Sequence, residues 1–155
     1  MAVSVGFTKD GLGITSTYTG CVTDDDLKSS FDFKLNHIDS LKNVRFNIAD
    51  FTPVEHYKVS TRANVLHAYK TLELFDSEFE DFLTISVVNS ELQYGMSRMW
   101  GMLTMDGNFR SEITRSRNDA ERLIHTHLKN LPPRELFYSY MSNLATSQHK
   151  AKETI

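Results

Sequence analysis

The chain has 155 residues, 40% of them hydrophobic, with 17 basic and 20 acidic residues and a formal net charge of −3. That size and apolar content suit one domain with its own core, and the charge excludes the broad positive field that nucleic-acid binding needs. A single cysteine, Cys21, excludes an internal disulfide and a multi-thiolate metal cluster.

In chain order, Val3, Val5 and Phe7 alternate with small or polar residues, Asp10-Gly11 is a two-residue hairpin signal, and Leu12, Ile14, Ser16 and Tyr18 resume the period of two. The opening is therefore a β-hairpin. Thr23-Asp24-Asp25-Asp26 reads as a capping box with Asp in place of Glu, and it starts a helix whose apolar stripe is Leu27, Phe31, Leu35 and Ile38. Val44 to Asp50 is an apolar strand ending in an acid. Asp50 to Ser60 is expected as a loop, after which Ser60 or Thr61 caps a second helix with Val65, Ala68, Tyr69 and Leu72 on one face.

Phe82 to Asn89 is a strand by its β-branched content. A third helix covers Glu91 to Met105. At 100° per residue it places Leu92, Met96, Met99, Trp100 and Leu103 on its inner face, with Tyr94, Arg98 and Met105 opposite. Gly95, at the margin of that inner face, would allow close approach to a sheet, whereas Gly101 has no packing role there. Asn108 to Thr114 alternates as a half-exposed strand, and Asn118-Asp119-Ala120-Glu121 is a capping box opening a helix with Ala120, Leu123, Ile124, His127 and Leu128 in register. Leu131-Pro132-Pro133 breaks it. A last helix, Arg134 to about Ser147, lines up Leu136, Phe137, Tyr140, Met141 and Leu144 before a frayed polar tail. Such a stripe needs cover, by the core or by a second copy of the chain.

This order predicts a mixed, mostly parallel five-stranded α/β sheet with an N-terminal β-hairpin, helices packed on it, and right-handed crossovers. The strand ending in Asp50, the segment Tyr94-Gly95-Met96-Ser97-Arg98-Met99, and Phe109-Arg110-Ser111 leading into Asp119-Ala120 and Leu123 together resemble the SpoIIAA-like branch of the STAS superfamily. The resemblance covers residues 1–130, leaving residues 131–155 as a C-terminal helical extension. It implies a non-enzymatic regulatory domain acting through protein–protein contact, and a relation to SEC14-type lipid-binding domains. It also implies a phosphorylated serine capping the second helix. Ser60 is the positional match, without the acid before it or the glycine after it, and on its own residues it reads as a helix cap.

Past the carboxyl ends of parallel strands lies the usual ligand edge of such a sheet. The residues it selects are Asp50, Thr52, Ser60, Thr61, Tyr94 and Arg98, as a binding edge for a protein partner or a homodimer. An alternative is a pocket for a small apolar, lipid-like ligand beside Met96, Met99 and Trp100. Asp50, Glu55 and His56 are the one carboxylate–histidine set near the edge. No phosphate loop, nucleophile elbow or zinc motif occurs, so no catalytic residue, metal or cofactor is expected. His125 and His127 stand two apart on a helix and cannot share a metal. Residues 1–6 lack a basic segment followed by an apolar stretch, and no apolar run approaches the roughly 18 residues of a membrane span, so the expected location is the cytoplasm.

Overall fold

The computed structural model of the protein describes residues 2–75, 81–107 and 109–131. The extension expected after Leu131 lies outside the described residues, and with it the stripe from Leu136 to Leu144.

Strands β1 (Val3–Phe7) and β2 (Gly13–Tyr18) pair antiparallel. Their connection is longer than the two-residue turn expected. Thr8 N–H bonds to the Gly13 carbonyl at 2.9 Å, the Asp10 carboxylate accepts from the Thr8 hydroxyl and the Leu12 N–H, and Gly11 takes the left-handed φ of +73°. β3 (Gly20–Thr23) leads into α1 (Asp24–Asn36) and the single turn α2 (Ile38–Leu41). At the start of α1, the expected capping box is present, with Thr23 N–H donating to the Asp26 carboxylate at 2.9 Å.

β4 (Phe46–Asp50), β6 (Phe82–Val87) and β7 (Phe109–Thr114) join β2 in parallel, giving the order β1-β2-β4-β6-β7. The stretch expected as a loop after Asp50 contains β5 (Val54–Lys58), which pairs in parallel with β3 as a small second sheet. Strand alternation could not reveal it, because only Val54 of its five residues is buried. α3 (Thr61–Phe75) and α4 (Glu91–Leu103) pack with α1 on one face, and α5 (Arg117–Asn130) covers the other. α5 starts earlier than expected: Ser116, not Asn118, is its cap, and its Oγ accepts from Asp119 N–H at 3.1 Å.

The two faces of the sheet differ in chemistry. Toward α5, Phe46, Ile48, Leu83, Ile85 and Val87 pack on Ala120 and Ile124 in one apolar cluster. Toward α1, α3 and α4 there are two apolar clusters, one near the strand starts around Ile14, Phe75, Phe82 and Phe109, the other near the strand ends around Tyr18, Phe51, Val88 and Met96. Between them the strands point Ser16, Asn47, Thr84 and Ser86 inward, with Asn47 opposite Thr84 in the register.

The helices above this seam are turned about one residue from their expected faces. α1 buries Leu27, Ser30, Phe31 and Lys34 while Leu35 is half exposed. α3 buries Asn64, Ala68, Thr71 and Phe75 and exposes Tyr69, and α4 buries Gln93, Met96 and Ser97 and exposes Leu92. The glycine roles change accordingly. A Cβ on Gly95 meets nothing within 4 Å, whereas one on Gly101 would come within 3.1 Å of Ser111 Oγ on β7.

Gly13 makes the tightest approach of this kind, since a Cβ there would fall 2.1 Å from the buried Phe46 ring beside it in the sheet. Gly13→Ala is expected to destabilise the fold by roughly 1–3 kcal/mol through overpacking. Gly95→Ala, in open space within a helix, should stabilise it by about 1 kcal/mol. Urea midpoints of the two variants check the opposite signs.

Candidate functional site

The sequence-selected edge residues fall into separate networks. Asp50 is buried; its carboxylate accepts from Thr52 N–H (3.0 Å) and hydroxyl (2.7 Å) and pairs with Arg117 of α5 at 3.3 Å. Asn89 ties in by donating to the Thr52 carbonyl at 2.6 Å. Ser60 turns the other way. Its hydroxyl caps α3 by accepting from Ala63 N–H, and both its N–H and hydroxyl donate to Asp24 at the start of α1, at 2.7 and 2.8 Å. Thr61, the first residue of α3, is exposed.

On α4, Tyr94 is half-buried beneath the Arg115 guanidinium, 5.1 Å from its ring centre, and Arg98 is exposed. Glu55 and His56 are exposed neighbours on β5, so they do not gather with Asp50 as an acid–base set. Among the described residues no group of three His, Cys, Asp or Glu is placed to hold a metal.

A partly open internal space lies elsewhere among the described residues. A cavity of about 50 Å³ occupies the polar seam between the sheet and α1, α3 and α4. Trp100 lines it; Met96 and Met99 belong to the apolar cluster at the strand ends instead. The three residues expected around one apolar pocket are therefore not gathered at this cavity, whose wall mixes aromatic and polar side chains. Its volume is far below the roughly 300–1,000 Å³ of drug-sized sites, too little for an acyl chain.

Sequence reasoning missed three of its lining residues: Lys34 from α1, Asn47 from β4 and His67 from α3. Trp100 Nε1–H donates to His67 Nδ1 at 2.9 Å. An indole nitrogen only donates, so Nδ1 is the bare nitrogen and the proton of the neutral ring is on Nε2. That Nε2 is closed off from solvent with no partner. Burial, reinforced by the charges of Lys34 and Lys70, pushes the His67 pKa down to about 3.

Asn47 Nδ2 donates to Thr84 Oγ1 at 3.0 Å, which leaves Asn47 Oδ1 buried without a donor. Lys34 is 6% exposed, and burial lowers its pKa to about 8. No Asp or Glu lines the cavity to balance it. Tyr18 and Tyr57, also on the wall, are held neutral by burial, which raises the Tyr18 pKa to about 12 and that of Tyr57 still further.

A surface groove of about 290 Å³ between α1 and α3 shares Leu27 and His67 with the cavity. Phe31 lies between them, with the His67 ring edge-on at 6.1 Å and Lys70 Nζ 5.8 Å from its centre. At the rim, the Asp24–Ser60 bonds clasp the two helix starts. A second groove, of about 410 Å³, runs between α4 and the edge strand β7 past Arg98, Met102, Met105 and Arg110.

No protein-family model and no curated protein matches the chain. Among solved structures it is similar to the crystal structure of an uncharacterized protein of the DUF3478 family with a SpoIIAA-like fold from Shewanella loihica PV-4. The TM-score is 0.50 at 16% identity, over 79% of this chain and 91% of that one. A likeness at this identity speaks to fold, and the fold here is SpoIIAA-like, as the sequence resemblance implied. Among the described residues, no helix is long and apolar enough to cross a membrane.

The unpaired cavity groups set a pH dependence. Between pH 6.5 and about 3 the unfolded chain protonates His67 and the folded chain does not, so stability falls as pH drops through that window. Between about pH 8 and 10 the unfolded chain keeps the Lys34 proton that the folded chain releases, so stability rises with pH, before unfolded tyrosines begin to ionise. Thermal unfolding across both windows checks the two slopes. Lys34→Met should raise the melting temperature at pH 7 and flatten the alkaline slope, while His67→Gln should flatten the acid one.

Proposed function

We propose that this chain is a non-enzymatic regulatory domain that works by binding a protein partner along α4 and β7. The observation that carries the reading is the exposure of Met102 (63%) in the last turn of α4 and of Met105 (74%) just past its cap, beside the outermost strand of the main sheet among the described residues. Adaptable methionine side chains suit a partner surface, and an edge strand offers its free N–H and C=O groups to an extended segment.

The groove fixes the chemistry of that segment. Arg98 makes no hydrogen bond or ion pair among the described residues, and Arg110 engages only the neighbouring Glu112 of its own strand, at 3.4 Å. The matching partner is an extended segment with apolar side chains for the two methionines and an acidic one for Arg98. Of the expected binding edge, Arg98 therefore faces this partner. Asp50 and Thr52 stiffen the sheet edge, and Ser60 fixes α3 to α1. The exposed thiol of Cys21, with no disulfide, suits the reducing cytoplasm assigned from the sequence.

Met102→Glu with Met105→Glu is expected to keep the circular dichroism of the wild type and abolish capture of the partner. Hydrogen exchange on the purified complex should then show β7 and α4 amides protected. Protection confined to β3 and β5, or equal capture by the double variant, would overturn the reading. Light scattering of the full chain addresses the homodimer, since a monomer at high concentration removes it.

A further inference from the structure

The polar cavity is built, not left over. α1, α3 and α4 from above and β4 and β6 from below turn Lys34, His67, Ser97, Asn47, Thr84 and Ser86 into it, while Leu35, Tyr69 and Leu92 of the same helices remain on the outer surface. Lys34 is 6% exposed and brings three N–H donors with no hydrogen bond or ion pair among the described residues. His67 adds an unpaired Nε2–H, and Asn47, 7% exposed, adds an unpaired Oδ1. Unpaired buried polar groups are costly, and an uncompensated buried charge most of all. A cavity of about 50 Å³ accommodates a few waters, at roughly 10–15 Å³ each. Water satisfies hydrogen bonds but carries no counter-charge.

We propose that the cavity binds a short hydroxycarboxylate, its carboxylate held by Lys34 and the Nε2–H of His67 and its hydroxyl donating to Asn47 Oδ1. Each part of that guest answers one unpaired group. One unpaired cation matches a monoanion; a dianion would leave a second buried charge unbalanced. An amino acid would bring its ammonium beside Lys34, where like charges repel, so the donor for Asn47 is a neutral hydroxyl. The volume limits the guest to a skeleton of a few non-hydrogen atoms.

The groove between α1 and α3 provides the approach, because it shares Leu27 and His67 with the cavity and carries Arg62 and Lys70 on its wall. Of the two acids on that groove, Asp24 and Asp25, Asp24 is engaged by Ser60. The α4–β7 groove also touches the cavity wall, through Ser97 and Phe109, but none of the three groups assigned to the guest lines that groove, and the assignment does not depend on the partner reading.

Calorimetric titration of the full chain with glycolate, acetate and ethylene glycol tests the assignment. Glycolate should bind one per chain and change the emission of Trp100, which is bonded to His67. Acetate lacks the hydroxyl and should bind about ten-fold more weakly, the equivalent of one hydrogen bond. Ethylene glycol, without charge, should not bind. Lys34→Met should abolish the glycolate signal; should that variant not fold, the three-ligand series on the wild type decides alone. Equal binding of ethylene glycol and glycolate overturns the proposal, and so does the absence of both heat and emission change, which leaves a cavity filled by water only.

Discussion

The indole of Trp100 donates to Nδ1 of His67 at 2.9 Å, and the tautomer of that ring, hence the group it turns to the cavity, follows from the bond. It keeps Nδ1 free of a proton, directs the ring's N–H through Nε2 into the seam, and leaves a neutral ring next to a lysine. A protonated His67 would put a second positive charge into a space that holds no carboxylate. Burial, with the charges of Lys34 and Lys70, keeps the ring uncharged, and the bond decides which of its nitrogens carries the proton. It also joins α3 to α4 across the top of the seam.

The strands were legible because alternation is a local signal, and Leu83, Ile85 and Val87 against Thr84 and Ser86 shows it plainly. Helix existence was legible too, from caps and periodicity. Helix orientation was not. Assigning the inward face to the densest apolar stripe chose Leu35 on α1, Tyr69 on α3 and Leu92 on α4, and all three are exposed. The stripe rule assumes that whatever lies beneath a helix is apolar. Here the sheet beneath turns Ser16, Asn47, Thr84 and Ser86 upward, so the helices turn Ser30, Lys34, Asn64, Thr71 and Ser97 down to meet them. A signal was available in the strands. Polar residues at alternate positions of a central strand covered on both faces imply a polar interior, and polar partners above it.

The other unreadable features are long-range. Ser60 has no acid before it in sequence, yet Asp24, thirty-six residues earlier, supplies one in space. That carboxylate sits 2.8 Å from the Ser60 hydroxyl, so a phosphate there would meet a like charge instead of the helix dipole alone. In its unmodified form the residue that the resemblance matches to a switch serine clasps α1 to α3. Asp50 is likewise committed to Thr52 and to Arg117, sixty-seven residues away, a pairing that no local pattern encodes.

The two faces of the sheet are stabilised differently. On the α5 face, large aliphatic side chains from β4 and β6 close against Ala120 and Ile124 in one apolar cluster, and hydrophobic burial there acts without polar interruption. On the other face the apolar clusters are confined to the two ends of the strands, where they hold α1, α3 and α4 like two abutments. The span between them carries the unpaired lysine, histidine and asparagine atoms, whose desolvation opposes folding. Such a seam is tolerable only because the abutments and the α5 face stabilise the domain independently of it. Polar substitutions in the seam can therefore change its chemistry without removing what keeps the sheet folded, whereas the same changes at Ile48 or Ile85 would strike the cluster that holds the sheet together.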